Sequence, residues 1–284
     1  MSAAHLEAYG YHEFDHDPDR QQELLQGNGY PGRWLAMGRG EGIHEGELIV
    51  AYSFGGRSDG SKNRTAILEG SAVRLVAPGM TGEEMAQVSD AALVYYHASD
   101  TKNGVFVASN GAQTRPVLDA VEEGSSFIDA IRNAPTVLGM MDGKEVPIDL
   151  SSYEPDAPIN TPRITGIIDL RDGVSRPFGL AVVRKDPESG LPIRKTFEAH
   201  LDDIGPGEGF AVQTYGVNDP DDKETPVPHF TQDPYLVDMG GSVADIAQRT
   251  RESIGERTFA AAVVRTIDLS TSQFVGHAII NTRG

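Results

Sequence analysis

The segment Ser53–Arg64, SFGGRSDGSKNR, is a polar, cationic loop that follows an apolar strand. The apolar run before it, residues 48–52, predicts a β-strand. Its glycines and cations are Gly55, Gly56, Gly60, Arg57, Lys62 and Arg64. Glycines let the backbone take positive φ and approach a ligand closely, and guanidinium groups match phosphate or carboxylate geometry. The segment therefore predicts an anion-binding loop, although a solvated surface loop has the same composition.

Composition excludes several classes of protein. The 284 residues carry a formal net charge of −18, from 24 Lys and Arg against 42 Asp and Glu. This argues against nucleic-acid and anionic-membrane binding, because both need a basic surface. The absence of cysteine excludes disulfides, thiolate metal sites and a cysteine nucleophile, and it fits a cytoplasmic protein. No apolar run approaches the roughly 20 residues of a membrane span, and the N-terminus has no secretory pattern.

Short apolar runs alternate with turn residues along most of the chain. They predict strands at 33–39, 47–54, 65–68, 72–76, 91–97, 104–109, 163–170, 178–184, 193–199, 209–217, 258–268 and 273–280. Helices are predicted at 81–89, from 113 or 114 onward, at 125–132 and at 243–254. Most strands form sequential hairpins, which favours an α+β domain of antiparallel sheets flanked by helices over a parallel α/β fold.

The domain organisation follows from polar stretches. Residues 1–29 are predicted to be an acidic leader, and residues 30–284 to form one domain. Insertions are expected near 137–160 and 218–234. The first is loop-rich and acidic and is a candidate lid, and the second is expected to be a long surface loop.

Four separated segments carry a resemblance to a known family. They are YPGR at 30–33, the loop with Arg57-Ser58 and Asn63-Arg64, SNGAQT at 109–114 and NTPRI at 160–164. In this order they resemble the archaeal-type inosine monophosphate (IMP) cyclohydrolase family, and the chain looks like a longer, bacterial-style relative. The resemblance spans roughly residues 30–170 and thins beyond Arg163 to strand patterns.

The resemblance implies a fold and an activity. The fold is an αββα sandwich like that of N-terminal-nucleophile hydrolases, but without the nucleophile, because the first strand begins Pro31-Gly32-Arg33. The activity is dehydrative closure of 5-formamidoimidazole-4-carboxamide ribonucleotide to IMP in purine biosynthesis, with neither metal nor organic cofactor. The implied partner is a small purine ribonucleotide. The sequence is compatible with a homo-oligomer and does not give the oligomeric state.

The resemblance also assigns roles to residues. Substrate and phosphate binding falls to Arg57, Ser58, Asn63, Arg64, Gly111, Thr114 and Arg163. Catalytic roles fall to Tyr96, Arg33 and Asn110. Tyr96 would handle protons or donate to the oxyanion. It is reached by counting back from SNG into the preceding predicted strand, and a slip of one residue would select Tyr95.

Two departures from the family pattern affect the site. The family's Y-x-C pattern is Tyr96-His97-Ala98 here, so its cysteine is missing. The family's functional glutamate has no clear counterpart, and Glu154 and Asp156 are candidates because they precede TPRI.

Other interpretations remain open at this point. Tyr96 could be a core aromatic with a satisfied hydroxyl, and Arg33 could form a salt bridge at a strand start. The protein could be another amide-acting or nucleotide-acting enzyme on the same scaffold. It could also be a non-catalytic purine nucleotide-binding protein.

Overall fold

The structure is a computed structural model, and it describes residues 28–57, 59–86, 88, 91–217, 227–255 and 257–282. Thirteen of the fifteen strands in the described residues lie in two antiparallel sheets that pack face to face. The first sheet contains β1 (Arg33–Arg39), β2 (Glu47–Gly55), β12 (Glu208–Gln213), β13 (Tyr235–Asp238), β14 (Phe259–Asp268) and β15 (Gln273–Asn281). Its strand order is β13-β12-β1-β2-β14-β15.

The second sheet has the order β11-β10-β9-β6-β5-β4-β3. Its strands are β3 (Thr65–Glu69), β4 (Ala72–Val76), β5 (His97–Lys102), β6 (Val105–Ser109), β9 (Arg163–Asp169), β10 (Phe178–Lys185) and β11 (Pro192–Ala199). A separate hairpin pairs β7 (Thr136–Met141) with β8 (Lys144–Asp149).

Six α-helices lie within the described residues. They are α1 (Asp59–Lys62), α2 (Gly82–Ala86), α3 (Ala91–Val94), α4 (Thr114–Glu122), α5 (Phe127–Arg132) and α6 (Val243–Ile254). Short 3-10 helices occupy Gly42–His44 and Leu201–Asp203. Helix α6 packs on β2, β14 and β15 of the first sheet, and α4 packs on β5 and β6 of the second.

The main core lies between the two sheets. Strand β1 alternates, so that Leu35 and Met37 point toward β9 of the opposite sheet. Gly166 of β9 makes room for them, because a Cβ there would lie 2.5 Å from Met37 Cε and 3.0 Å from Leu35 Cδ2. A second apolar cluster joins the outer face of this sheet to α4 and α5. The architecture confirms the predicted α+β class with antiparallel sheets.

Two of the predicted helices begin with reciprocal side-chain caps. Ser242 Oγ accepts from Asp245 N at 3.2 Å, and Asp245 Oδ2 accepts from Ser242 N at 3.0 Å. Thr81 and Glu84 make the same reciprocal pair at α2, with Glu84 Oε2 2.6 Å from Thr81 N. These bonds satisfy N–H groups that a helix start leaves without partners.

The strand predicted at 91–97 is wrong. Residues Ala91–Val94 form α3, and β5 begins only at His97. The hairpin to β6 turns at Asn103 and Gly104, whose φ values of 49° and 81° suit a two-residue turn. Tyr96 therefore lies between a helix and a strand rather than inside a strand.

The two predicted insertions also differ from expectation. The stretch read as loop-rich contains the β7–β8 hairpin. Residues 218–226 of the second lie outside the described residues, and the described part runs along the surface but anchors Val227 and Phe230 in buried positions. Strand β13 was not predicted.

The leader predicted at 1–29 lies outside the described residues as far as residue 27. Asn28 is buried, and its Nδ2 donates to Tyr215 O at 3.2 Å.

None of the helices in the described part of the chain has the length and apolar character that crossing a bilayer requires.

Candidate active site

A cavity of about 510 Å³ lies where β1 begins, and it is bordered by the segments after β2 and after β8. Its volume falls within the roughly 300–1,000 Å³ of small-molecule sites. Its polar lining comes from Tyr30, Arg33, Arg57, Ser61, Asp142, Glu154, Asp156, Thr161 and Tyr215. Leu93, Val94, Met141 and Ile159 add apolar wall. Cations, carboxylates and apolar surface thus converge on one concave site.

One wall is a stack of a guanidinium on two aromatic rings. Arg57 Cζ lies 5.2 Å from the centroid of the Tyr30 ring, and that centroid lies 5.4 Å from the centroid of Tyr215. Gly32 makes this possible, because its φ is +77° and a Cβ there would collide with Thr214 Oγ1 and lie 2.5 Å from Cδ2 of Tyr215. The YPGR segment therefore needs its glycine to bring Tyr30 against Tyr215.

Arg64 lies beneath the cavity and is only 2% exposed. Its Nε donates to Ser61 O and its Nη1 to Val94 O, each at 3.2 Å, and both acceptors belong to residues that line the cavity. The guanidinium also lies 4.8 Å from the Phe54 ring centroid. Its Nη2 has no hydrogen-bond partner among the described residues. Burial, together with the charge of Arg33, lowers the pKa of Arg64 from its usual value.

The remaining predicted residues of the cationic segment do not contribute to the cavity lining in the described residues. Asn63 is half-buried and does not line the cavity, and the position of Ser58 lies outside the described residues. The glycines also act differently from the prediction. Neither Gly55 nor Gly56 has positive φ. Gly56 is instead required by packing, since a Cβ there would collide with Ser61 and lie 3.0 Å from Lys62 N.

Glu154 is a buried carboxyl on the cavity wall, 2% exposed. Burial raises its pKa to about 7, against the opposing charge of Arg163. Its Oε1 lies 3.6 Å from Arg163 Nη1 and accepts no hydrogen bond from the described residues. The backbone N of Glu154 donates to Thr161 O at 2.8 Å, which fixes the segment in place. A carboxyl with a pKa of about 7 can both give and take a proton near neutral pH.

Asp156 is the second carboxylate of this segment, and it is half-buried. Its oxygens accept from Thr161 N at 2.7 Å and from Thr161 Oγ1 at 2.5 Å. Burial raises its pKa and these hydrogen bonds oppose the rise. Thr161 Oγ1 also lies 2.8 Å from the hydroxyl of Tyr215, so Asp156 is tied to the aromatic wall.

The SNGAQT turn holds β6 to the start of β9. Asn110 Nδ2 donates to Pro162 O and its Oδ1 accepts from Ile164 N, both at 2.8 Å. Thr114 Oγ1 donates to His97 O at 2.5 Å. Neither Asn110 nor Thr114 lines the cavity, and both use their polar atoms on the protein itself. Their predicted roles at the substrate stay predictions.

Gly111 and Arg163 adjoin Glu154. A Cβ on Gly111 would lie 2.6 Å from both Arg163 Nη1 and Gln113 Oε1, and 3.1 Å from Glu154 Oε1. Arg163 is 2% exposed, and it donates from Nη1 to Gln113 Oε1 and from Nε to Ser152 O, each at 3.0 Å. Burial lowers the pKa of Arg163. The missing side chain at 111 thus leaves room for the ion pair.

Tyr96 is 4% exposed, and its hydroxyl lies 2.8 Å from that of Tyr52. It is close enough to Arg33, Arg64 and Arg163 to act electrostatically on all three. Tyr95, the alternative one residue away, instead points its hydroxyl at Met80 Sδ, 4.0 Å distant.

Sequence reasoning missed several residues of the site. Tyr30 and Thr161 lie inside the YPGR and NTPRI motifs, so the motifs themselves were a signal. Tyr52 lies inside an apolar run and Tyr215 near the end of another, where nothing distinguishes them from core residues. Within the described residues, no three His, Asp or Glu side chains are grouped so as to hold a metal ion.

One of two comparisons with known proteins relates the chain to a family. A family model described as IMP cyclohydrolase-like protein matches residues 30–268. A search of curated proteins found no match. The matched residues begin at Tyr30 of the aromatic wall and end with β14, so they include all the cavity-lining residues named above.

Proposed function

The chain belongs to the IMP cyclohydrolase-like family, and from that membership and the geometry of the cavity we propose that it is an IMP cyclohydrolase. The reaction is dehydrative closure of 5-formamidoimidazole-4-carboxamide ribonucleotide to IMP. The observation that carries the proposal is Glu154, a buried carboxyl with a pKa of about 7 on the wall of a cavity that also holds arginines.

The cations suit the substrate's 5′-phosphate. Arg57 offers a planar fork whose Cζ lies 5.2 Å from the centroid of the Tyr30 ring, and Arg64 lies below with Nη2 unpartnered among the described residues. Guanidinium–phosphate hydrogen bonds are about twice as strong as neutral ones. In a chain of net charge −18, this local concentration of arginine draws the anionic substrate to the cavity.

Ring closure needs balanced proton transfers. The carboxamide nitrogen attacks the formyl carbon, so a C–N bond forms and the formyl oxygen becomes an oxyanion. The nitrogen then loses one proton and the oxygen gains one. Next the hydroxyl oxygen gains a second proton and leaves as water, which breaks the C–O bond. The former formamide nitrogen loses its proton at the same time, and the C=N bond forms. Glu154 can take a proton in one step and return it in another, because its pKa lies near neutral pH.

Arg33 and Tyr96 complete the proposed machinery. Arg33 lines the cavity at the start of β1 and offers its guanidinium to the developing oxyanion. Tyr96 supplies the proton that this oxygen takes up. Both reacting groups sit on one imidazole ring, so much of the acceleration comes from holding them in contact.

The fold supports the same family assignment. The two sheets, with α6 on one outer face and α4 and α5 on the other, are consistent with the αββα arrangement of N-terminal-nucleophile hydrolases. Strand β1 begins with Arg33, where that class carries its nucleophile, so the proposed chemistry uses the scaffold without covalent catalysis.

The test is direct. Purified protein is incubated with the formamido ribonucleotide in the presence of EDTA, and IMP is followed by chromatography. We expect turnover far above the spontaneous rate, and loss of it in Arg57→Ala and in Tyr96→Phe. Arg132→Ala, which removes an arginine exposed on α5, serves as control and keeps full activity. Absence of turnover by folded wild-type protein would refute the proposal. If that protein still binds IMP tightly, it is a nucleotide-binding protein instead.

A further inference from the structure

Tyr52 and Tyr96 form a pair of buried phenols at the edge of the core. Their hydroxyl oxygens are 2.8 Å apart, and the two residues are 3% and 4% exposed. Strand β2 places Tyr52 opposite Leu35 of β1, so its ring points inward, between the sheets. Among the described residues, neither hydroxyl makes another hydrogen bond. The pair therefore has two protons and one hydrogen bond.

The two hydroxyls are not equivalent. Tyr96 follows the segment of Leu93 and Val94, which line the cavity, whereas both tyrosines interact electrostatically with Arg33 on the cavity wall. Tyr52 lies within β2 and faces the opposite sheet, and the oxygen of Tyr96 is its one acceptor among the described residues. If Tyr96 donated to Tyr52, the proton of Tyr52 would have no acceptor, and a buried donor without a partner is costly.

We propose that Tyr52 is a positioning residue for the ring closure: its hydroxyl donates to Tyr96 and leaves the proton of Tyr96 for the substrate oxygen. When the O–H bond of Tyr96 breaks and the proton passes to the substrate, the phenolate formed keeps the hydrogen bond from Tyr52. The guanidinium groups of Arg33 and Arg64 lie close enough to stabilise the same negative charge. Burial raises the pKa of Tyr52 well above its usual value, so Tyr52 keeps its proton when Tyr96 gives up its own. This role rests on the proposed function.

The kinetic test compares Tyr52→Phe with a matched loss of a buried phenol. Tyr235 is suitable, because its hydroxyl is buried with Trp34 Nε1 and Gln213 Oε1, each at 2.9 Å. Trp34 neighbours the inward-facing Leu35 along β1, so this network lies on the opposite face of the sheet. We expect Tyr52→Phe to lower kcat about 10- to 100-fold with KM within twofold. Tyr235→Phe should lower stability and leave kcat within twofold.

The double variant decides whether Tyr52 acts through Tyr96. If it does, Tyr52→Phe/Tyr96→Phe has the kcat of Tyr96→Phe alone. The inference would be overturned if the kcat losses of Tyr52→Phe and Tyr96→Phe multiply in the double variant. It would also be overturned if Tyr52→Phe has the same kcat as Tyr235→Phe. Both outcomes leave the cyclohydrolase activity standing. Wild-type protein without turnover would instead remove the proposed function, and the kinetic role of Tyr52 with it.

Urea unfolding tests, without any turnover, whether the hydroxyl of Tyr52 depends on Tyr96 for its hydrogen bond. In Tyr96→Phe the proton of Tyr52 loses its acceptor. Adding Tyr52→Phe to that variant then removes the unpaired donor, and we expect the urea midpoint to rise. A further fall on adding Tyr52→Phe would show that the Tyr52 hydroxyl has a partner other than Tyr96, and would overturn the inference.

Discussion

Replacing Glu154 with glutamine tests the central electrostatic claim about the cavity. The carboxyl is 2% exposed, so solvent screens its charge little. Its pKa of about 7 exceeds the usual 4.5, and each pH unit corresponds to about 1.4 kcal/mol. The charged form is therefore disfavoured in the folded protein by about 3 kcal/mol. Glutamine has similar shape and no charge at any pH.

The sign of the effect follows from the raised pKa. Below pH 4.5 the carboxyl is protonated in both the folded and the unfolded protein, and its full contribution to stability is present. As pH rises through about 7, that contribution is lost, because the unfolded protein releases the proton first. The stability of wild type relative to Glu154→Gln should thus fall by about 3 kcal/mol between pH 4.5 and pH 8. The attraction between ionised Glu154 and Arg163 is already included in the pKa of about 7, and any pH-independent effect of the substitution cancels from this difference.

Urea unfolding of both proteins at several pH values measures this difference. Glu145→Gln, which changes an exposed carboxylate on β8, is the control and should show little pH dependence relative to wild type. Glu154→Gln should also lower kcat about 10²- to 10⁴-fold, since it removes an acid–base group. A stability difference that stays constant from pH 5 to pH 8 would show that Glu154 titrates like a solvated glutamate, and the argument from burial would be wrong.

Three further substitutions test the local structure. Gly32→Ala should cost at least about 2 kcal/mol, measured by urea unfolding, because of its positive φ and the collision with Thr214. Gly111→Ala should lower kcat with a smaller loss of stability, since the added methyl displaces Arg163; unchanged steady-state kinetics would contradict this. Ser242→Ala should lower the urea-derived stability by about 1 kcal/mol through loss of the helix cap, with kcat and KM preserved.

The sequence predicted most of the β-structure because hydrophobic alternation and turns are local signals. The strand at Arg33–Arg39 and the helix at Val243–Ile254 have the predicted bounds. Two elements that were predicted wrongly, β5 and the β7–β8 hairpin, also had local signals in the sequence. Asn103-Gly104 and Asp142-Gly143 are two-residue turns with positive φ throughout, and such dipeptides are strong hairpin markers. A prediction that gives these dipeptides priority over apolar runs places β5 after residue 96 and includes the β7–β8 hairpin.

The site was less predictable because its chemistry depends on burial. Arg57 was expected at the cavity on composition, and it lines the wall. Glu154 was only one of two candidates, since its pKa depends on packing between the segment after β8 and the start of β9. The pairing joins Tyr52 of β2 to Tyr96, which lies just before β5 and 44 positions away along the chain. Spacing along the chain carries no information about such a contact.

The unpaired polar atoms of the described residues support a ligand site more strongly than the charges alone. Seven buried side-chain atoms there lack hydrogen bonds, and three of them belong to Arg33, Arg64 and Glu154 around one cavity. Burying such groups unpaired costs free energy that apolar side chains would not cost. The cost is offset only by a ligand that offers acceptors to two guanidiniums and a donor to a carboxyl. A nucleotide with a phosphate, a formyl oxygen and amide N–H groups meets all three requirements, whereas a simple anion would leave Glu154 unsatisfied and repelled.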